Sequence, residues 1–281
     1  MFDAISRSDH FGTRAATRDA ELERASGAAR LEFAPDLRTL YQRSPCRVLM
    51  PRIDGAAGRE IVLVNTAGGI AGGDRFEYDI SVRGAARIAF TTQAAEKIYR
   101  ALDATARIET QIVLDDGAHA EWLPQETIVF EGGRLGRSIE ISLAGGARVL
   151  ALEGLVLGRE AHGESLATGE IIDRWRVVRD GRLIWADIFR LTGDIAALSA
   201  RPALLDGARA IATAIYTGAD ATRRLDATRE ALHGVRAGAS VIDGILIARI
   251  AAADGAALRE TVLKLLSVLR DGAETPRVWR S

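Results

Sequence analysis

Arg159, Glu160, His162 and Glu164 fall within six residues in the stretch Leu157-Gly158-Arg159-Glu160-Ala161-His162-Gly163-Glu164, where a histidine sits among carboxylates. Imidazole and carboxylate donors together suit a borderline divalent ion such as Ni(II). A solvated hairpin tip would carry the same residues, and one isolated cluster favours that plainer reading. A second candidate is the acid pair Glu126 and Glu131 in Glu121-Trp122-Leu123-Pro124-Gln125-Glu126-Thr127-Ile128-Val129-Phe130-Glu131. Two carboxylates can divide acid and base work at a glycosidic bond, but sequence spacing does not set their separation. Pro124 cannot donate to a strand ladder. It therefore marks an edge, a bulge or a chain crossing, and leaves Gln125 and Glu126 exposed or facing a cavity.

The glycine-rich stretch invites a nucleotide reading and refuses it. Ile61–Val64 leads into Asn65-Thr66-Ala67-Gly68-Gly69-Ile70-Ala71-Gly72-Gly73-Asp74. A dinucleotide fingerprint needs G-x-G-x-x-G opening a helix, and a P-loop needs G-K-[ST]. Here the spacing is G-G-x-x-G-G, Asp74 follows, and Phe76–Ile80 alternates like a strand. Gly68, Gly69, Gly72 and Gly73 read instead as a backbone of unusual conformation, with Asp74 tying the turn to backbone N–H groups. In Phe90–Arg100, Glu96, Lys97 and Arg100 could act on a substrate. If that stretch is one strand, Gln93, Ala95, Lys97 and Tyr99 share a face, and a salt-bridged sheet surface is the ordinary outcome. No G-x-S-x-G or other nucleophile context is present.

Composition narrows the classes further. The 281 residues carry 37 basic and 38 acidic side chains, a formal charge of −1, without the basic excess of a dedicated nucleic-acid binder. A hydrophobic fraction of 48% excludes a wholly disordered chain. The single cysteine, Cys46, excludes an internal disulfide and any Cys-rich zinc or iron–sulfur site. The histidines are scattered and form no H-x-x-x-H pair. Only Lys97 and Lys264 are lysines. The first ten residues lack a signal-peptide core, and no uncharged apolar stretch is long enough to span a bilayer. The expectation is a cytoplasmic protein.

These residues need elements to position them. Residues 1–26 are polar and unpatterned, and read as a variable, poorly ordered extension. Residues 27–281 read as a single β-rich domain. Arg107–Leu114 and Arg137–Leu143 partly alternate polar and apolar residues, the mark of half-buried strands. A loose echo links Val82–Ile88, Val113–His119 and Leu143–Val149; aligning Arg87, His119 and Arg148 gives steps of 32 and 29 residues. Each unit is a strand, a glycine turn and a return strand. Taken as hairpins, with further turns at Asp180-Gly181 and Asp243-Gly244, they predict stacked antiparallel sheets, solenoid- or sandwich-like. Spacing of three and four predicts helices over Pro202–Tyr216 and Gly255–Arg270. The fold class expected is mainly β, with about two helices in the C-terminal third.

Taken together, Ala67–Asp74, Thr91–Arg100, Trp122–Glu131 and Leu157–Glu164, in this order and at this rough spacing, resemble the urease accessory protein UreD (UreD/UreH) family, as does the closing Pro276-Arg277-Val278-Trp279. The resemblance runs from about Gly27 to Trp279. It implies a mostly β fold with a few helices and a maturation factor without catalytic residues. Its partners would be urease apoprotein and the accessory proteins UreF and UreG, with no nucleic acid and no membrane. It would hold no cofactor tightly and would convey Ni(II) transiently. Carboxylates suit that task, because an ion in transit needs weak, spaced donors. On this view Asp74, Glu126, Glu131, Glu164 and Asp187 are the candidates for the nickel path. Gly68, Gly69, Gly72, Gly73, Gln93, Lys97, Tyr99, Arg100, Trp122, Pro124, Gln125, Arg159 and Gly163 are structural or partner-binding residues. The helix over Gly255–Arg270 and apolar strand edges would contact UreF. Two rival classes remain: a hydrolase acting on a small polar substrate through Glu126/Glu131 or Glu160/Glu164, and a β-rich carbohydrate-binding or adhesion module.

Overall fold

A computed structural model describes residues 23–51, 59–159 and 163–280. Most of the expected N-terminal extension lies outside the described residues, as do Glu160 and His162. In chain order the strands are β1 (Ser26–Phe33), β2 (Leu37–Arg43), β3 (Cys46–Leu49), β4 (Arg59–Asn65), β5 (Arg75–Val82), β6 (Arg87–Thr92), β7 (Glu96–Ile98), β8 (Ala106–Leu114), β9 (His119–Leu123), β10 (Thr127–Val129), β11 (Arg134–Leu143), β12 (Arg148–Leu157), β13 (Thr168–Arg179) and β14 (Arg182–Asp194). Helix α1 (Ile195–Ser199), β15 (Ala210–Tyr216), α2 (Ala221–Ala231), β16 (Ala237–Ile242), β17 (Ile245–Ala252) and α3 (Gly255–Leu269) complete the chain.

The strands form two facing sheets. One runs β14-β13-β11-β8-β5-β1-β2, and the other β16-β17-β15-β12-β9-β6-β4-β3, with β7 and β10 beside β12. The class expected from sequence is the class observed, a solenoid-like β stack. The direction of pairing differs from the hairpin reading. Val82 lies opposite Leu114, and Leu114 opposite Leu143, all parallel in the first sheet. Arg87 lies opposite His119, and His119 opposite Arg148, all parallel in the second. Each glycine turn therefore carries the chain from one sheet across to the other, and the steps of 32 and 29 residues are single coils. A hairpin and a coil share one sequence signature, a strand, a tight turn and a strand. Only the position of the next unit separates them. Antiparallel pairs close the ends, where Asp180-Gly181 and Asp243-Gly244 are true hairpin turns between β13 and β14 and between β16 and β17.

Burial follows from this layering. Inward residues of both sheets, among them Phe33, Phe76, Ile80, Phe90, Ile112, Ile139 and Val177, make the core between them. The outer face of the second sheet packs on α2, α3 and the C-terminal turn Arg277–Trp279 through Leu150, Leu152, Leu246, Ile250, Leu265 and Trp279. Buried on both faces, β12 has only one exposed residue, Arg148.

Helix α3 forms where its apolar stripe predicts it. It buries Leu258, Val262, Leu265, Leu266 and Leu269, and the Asp254 side chain caps it by accepting from the Ala257 N–H at 2.8 Å. The helix expected over Pro202–Tyr216 is not formed. Residues 202–207 are turns, and β15 follows. Its period is two: Ile211 and Ile215 face the inter-sheet core, while Ala210, Ala212 and Ala214 face the helical layer. A strand buried on both sides is apolar throughout and so also satisfies a three-four count. Helix α2, with only Ala221 and Thr228 buried, has no such stripe and was not expected.

The register of the coils has an electrostatic consequence. His119 stands between Arg87 and Arg148. Burial first, then the charges of Arg87, Arg148 and Arg270, lower its pKa to about 4, with Glu121 opposing. We expect NMR titration to show His119 neutral down to about pH 5. The unfolded chain would take up this proton near pH 6.5 and the folded chain would not. His119 should therefore withdraw stability as pH falls from about 6.5 towards 4. A titration midpoint at or above 6.5 would refute this.

Candidate functional site

After β4, β6, β9 and β12 the chain turns the same corner of the solenoid on its way back to the first sheet. Among the described residues, the four corner segments hold most of each of the four sequence stretches singled out above. Ile70 bridges to Ile98 in parallel, β7 pairs with β10, and β10 pairs with Leu155–Leu157 of β12. Backbone bonds tie the levels: Ile70 N–H to Lys97 O at 2.7 Å, Glu96 N–H to Glu126 O at 3.0 Å, Phe130 N–H to Ile98 O at 3.0 Å and Gly158 N–H to Val129 O at 2.8 Å. Residues nearly a hundred positions apart thus make one contiguous face.

Pro124 lies at a chain crossing, one of the three places open to it, but Gln125 beside it is buried on Arg259 and Val278 O rather than exposed or facing a cavity, while Glu126 borders a small cavity. Pro124-Gln125-Glu126 connects β9 to β10. The single strand considered for Phe90–Tyr99 is broken. Thr92 Oγ1 donates to Ala94 O at 3.1 Å and accepts from Gln125 N–H at 2.9 Å, so Gln93-Ala94-Ala95 bends between β6 and β7. Gln93 and Ala95 therefore do not continue a strand face with Lys97 and Tyr99.

Side chains form a ladder across the levels. Tyr99 OH donates to Gly68 O at 3.1 Å. Its ring meets Phe130 edge-on, centroids 5.3 Å apart, and the Arg159 guanidinium lies 4.4 Å from the Phe130 centroid. Arg159 pairs with Glu164. Gly69 admits the Tyr99 ring, because a Cβ there would stand 2.3 Å from it. Gly68 and Gly73 have the positive φ expected, whereas Gly72 leaves room for Ala104 O. Gly158 combines positive φ with close backbone: φ is +93°, and a Cβ would lie 2.6 Å from Glu164 O and 2.8 Å from Leu166 N, both backbone atoms. Gly158→Ala should cost about 1–3 kcal/mol of stability and should loosen residues 158–167, read as lower urea midpoint and faster amide exchange there. An unchanged midpoint would show that this corner yields easily.

The carboxylates of the corner are held by the fold. Asp74 accepts from Ala25 N–H at 2.7 Å and Ala71 N–H at 2.8 Å. Glu131 accepts from Ala167 N–H at 2.5 Å and Thr168 Oγ1 at 2.8 Å. Burial alone would raise the pKa of Glu131, but these donors, the Thr168 N–H and the charge of Arg100 hold it below the usual carboxylate range. Glu164 accepts from Glu131 N–H at 3.0 Å besides pairing with Arg159. Glu96 is held by Asn65 at 3.1 Å, and its pKa is raised, chiefly by burial. Glu131 and Glu164 are therefore brought together, and Asp74 stands at the same corner two coils away. Gly163, with φ +69°, turns the chain beside Glu164. Glu126 lies 4.0 Å from Arg259 under α3. Gln125 donates to Val278 O at 3.0 Å and accepts from Arg259 at 2.6 Å.

Asp187 is elsewhere. It pairs with Arg249 at 2.7 Å and lines a cavity of about 180 Å³ with Glu153 and Asp173. Behind that cavity lies a charged network that the sequence reading missed. Arg137 donates to both Asp173 oxygens at 2.9 and 2.8 Å and to Glu153 at 2.5 Å, and Trp122 Nε1 donates to Glu153 at 2.8 Å. Burial raises the pKa of Glu153 against the opposing charge of Arg137. The available signal was strand parity: Arg137 shares its face with Ile139 and Ile141, and Asp173 with Ile171 and Trp175. Among the described residues no three His, Cys, Asp or Glu side chains converge to hold a metal ion.

The profile of the UreD urease accessory protein family matches residues 25–280. The chain belongs to that family. It is 44% identical over 243 residues to "Urease accessory protein UreD" of Rhizobium leguminosarum bv. trifolii (strain WSM2304), covering 86% of this chain and 89% of the relative. It is 45% identical over 235 residues to the protein of that name from Azorhizobium caulinodans, covering 83% and 86%. The Methylobacterium sp. (strain 4-46) relative is 43% identical over 252 residues, covering 87% and 89%. The UreD match begins at Ala25, whose N–H is the one that Asp74 holds. As a UreD-family chain it is a urease accessory protein, a maturation role rather than a catalytic one. Among the described residues no helix is long and apolar enough to cross a membrane.

Proposed function

We propose that the chain is a urease maturation scaffold in the cytoplasm that binds urease apoprotein, UreF and UreG and helps convey Ni(II) to the nascent active site. The observation that carries this reading is the corner itself. Four motif segments of a UreD-family chain, distant in sequence, build one continuous face, as a surface that engages other proteins requires. The cavity lined by Glu153, Asp173 and Asp187 supports the second half of the reading. Oxygen donors spread along a cavity bind a divalent cargo weakly enough to release it, where a closed cage would trap it. A hydrolase using Glu126 and Glu131 gains no support: Glu126 faces Arg259, and Glu131 is consumed by Ala167 and Thr168.

The test is co-expression with the cognate urease subunits, UreF and UreG in nickel-supplemented cells, with and without this chain, followed by nickel analysis of purified urease. Nickel content and activity should both depend on the chain. Asp187→Asn should lower nickel loading while complexes still assemble. Asp74→Ala and Glu164→Ala should lower assembly and loading together, because those carboxylates hold backbone. Equal loading without the chain would end the proposal. Normal loading by Asp187→Asn would remove the cavity from the route.

A further inference from the structure

We propose that the exposed run Lys97–Leu102 on the motif corner is a docking surface for an acidic, apolar-bearing segment of a partner protein. The inference rests on the scaffold reading and identifies the chemistry of one contact. Four side chains in this run point to solvent: Lys97, Tyr99, Arg100 and Leu102. Leu102 is 78% exposed, the most of any large apolar residue described, and Tyr99 is 39% exposed. A lone exposed leucine means little. Here it adjoins an exposed aromatic residue and two cations.

The charges decide which partner fits. Neither Lys97 nor Arg100 forms an ion pair among the described residues. The nearby acids keep their oxygens on other partners, although Glu131 feels the charge of Arg100 and Glu96 that of Lys97. Asp74 and Glu131 are turned onto backbone N–H groups, Glu96 onto Asn65, Glu164 onto Arg159 and Asp103 onto Arg24. Tyr99 is held from below by Gly68 O and Phe130, so its ring is already fixed for contact. A rigid aromatic anchor flanked by unpaired cations, with an apolar side chain at its end, complements carboxylates beside an apolar side chain.

The lysine count gives a direct readout. Lys97 and Lys264 are the only side-chain amines, and Lys264 is paired with Glu260 on α3. The full chain would be mixed separately with urease apoprotein, UreF and UreG and treated with a carbodiimide, which joins an amine to a carboxylate only in direct contact. Peptide mass spectrometry would then locate the joined residues. The expected result is Lys97 coupled to Asp or Glu of one partner, and no such product from Lys97→Arg, which keeps the charge but removes the amine. Lys97→Glu with Arg100→Glu should weaken that complex about tenfold, more at low salt, as rim charges do. Leu102→Ser should weaken it without the salt effect. Because all of these side chains are exposed, an unchanged melting curve would separate a contact effect from unfolding. The proposal is overturned if complexes form but Lys97 yields no coupling and the variants bind equally. It is also overturned if Lys97 couples to a second copy of this chain. If the unaltered chain binds none of the three proteins, the scaffold reading fails and this surface loses its partner with it.

Discussion

Replacing Arg137 with Met is expected to cost about 3–5 kcal/mol of stability at pH 7, the usual penalty for stranding a buried partner charge. Arg137 is 2% exposed, and its guanidinium is the counter-charge for both Asp173 and Glu153. Without it two carboxylates remain between the sheets with only Trp122 as a nearby donor to Glu153. The sign of the pH dependence follows. Burial already raises the pKa of Glu153, and without the opposing Arg137 charge it titrates further above its unfolded value. Its penalty is full above the folded pKa and shrinks as pH falls and it takes up a proton. The gap between variant and parent urea midpoints should therefore narrow from pH 7 to pH 5. Arg137→Met combined with Glu153→Gln and Asp173→Asn should recover much of the loss, because the charges are then removed together. A gap below about 1 kcal/mol, less than a buried pair implies, or one that widens on acidification, would show that the network is hydrated rather than dry.

Arg137 also shows what was legible in the sequence and what was not. Strand parity is a local property, and it placed Ile139 and Ile141 inward without any tertiary information. Applied to Arg137 and Asp173, the same parity identifies them as charges on an apolar face. Their mutual pairing across neighbouring coils needs the register, which no local pattern contains. The echo through Arg87, His119 and Arg148 did contain the coil length, and the register puts those three residues side by side. It did not contain the choice between hairpin and coil. Pro124 was readable because a missing N–H is a property of one residue. The strand at Ala210–Tyr216 was not, because burial on both faces erases the difference between periods of two and 3.6. The candidate acids were visible as residues, but their roles depend on where their oxygens point. Asp74 behaves as its place after paired glycines suggests. Glu131 finds Thr168 only through the stacking of the corner.

Trp279→Ala should be the largest single truncation near the C-terminus, costing about 3–5 kcal/mol as for other buried tryptophans. Trp279 is 5% exposed, two residues before the end of the chain, yet it closes the second core. Its indole N–H donates to Leu123 O at 3.0 Å, and Arg259 lies 5.1 Å from the centre of its ring. Arg259 in turn donates to Trp279 O at 2.7 Å and to Gln125 at 2.6 Å, and Gln125 donates to Val278 O. The C-terminal turn is thereby fastened to the crossing that carries the third motif segment. Two effects can be separated. Trp279→Phe keeps most of the apolar contact and removes one of two donors to Leu123 O, which still accepts from Thr91 Oγ1 at 2.7 Å, and should cost about 0.5–1.5 kcal/mol, the range for a single hydrogen bond. Deleting residues 276–281 removes both and should match or exceed the alanine variant. If the clamp transmits to the corner, amide exchange at Gln125–Val129 should accelerate in the alanine and deletion variants and less in the phenylalanine variant. Acceleration confined to α3 and β17 would instead mean that Trp279 stabilises the helical layer alone, leaving the corner to be held by its own ladder of Tyr99, Phe130 and Arg159.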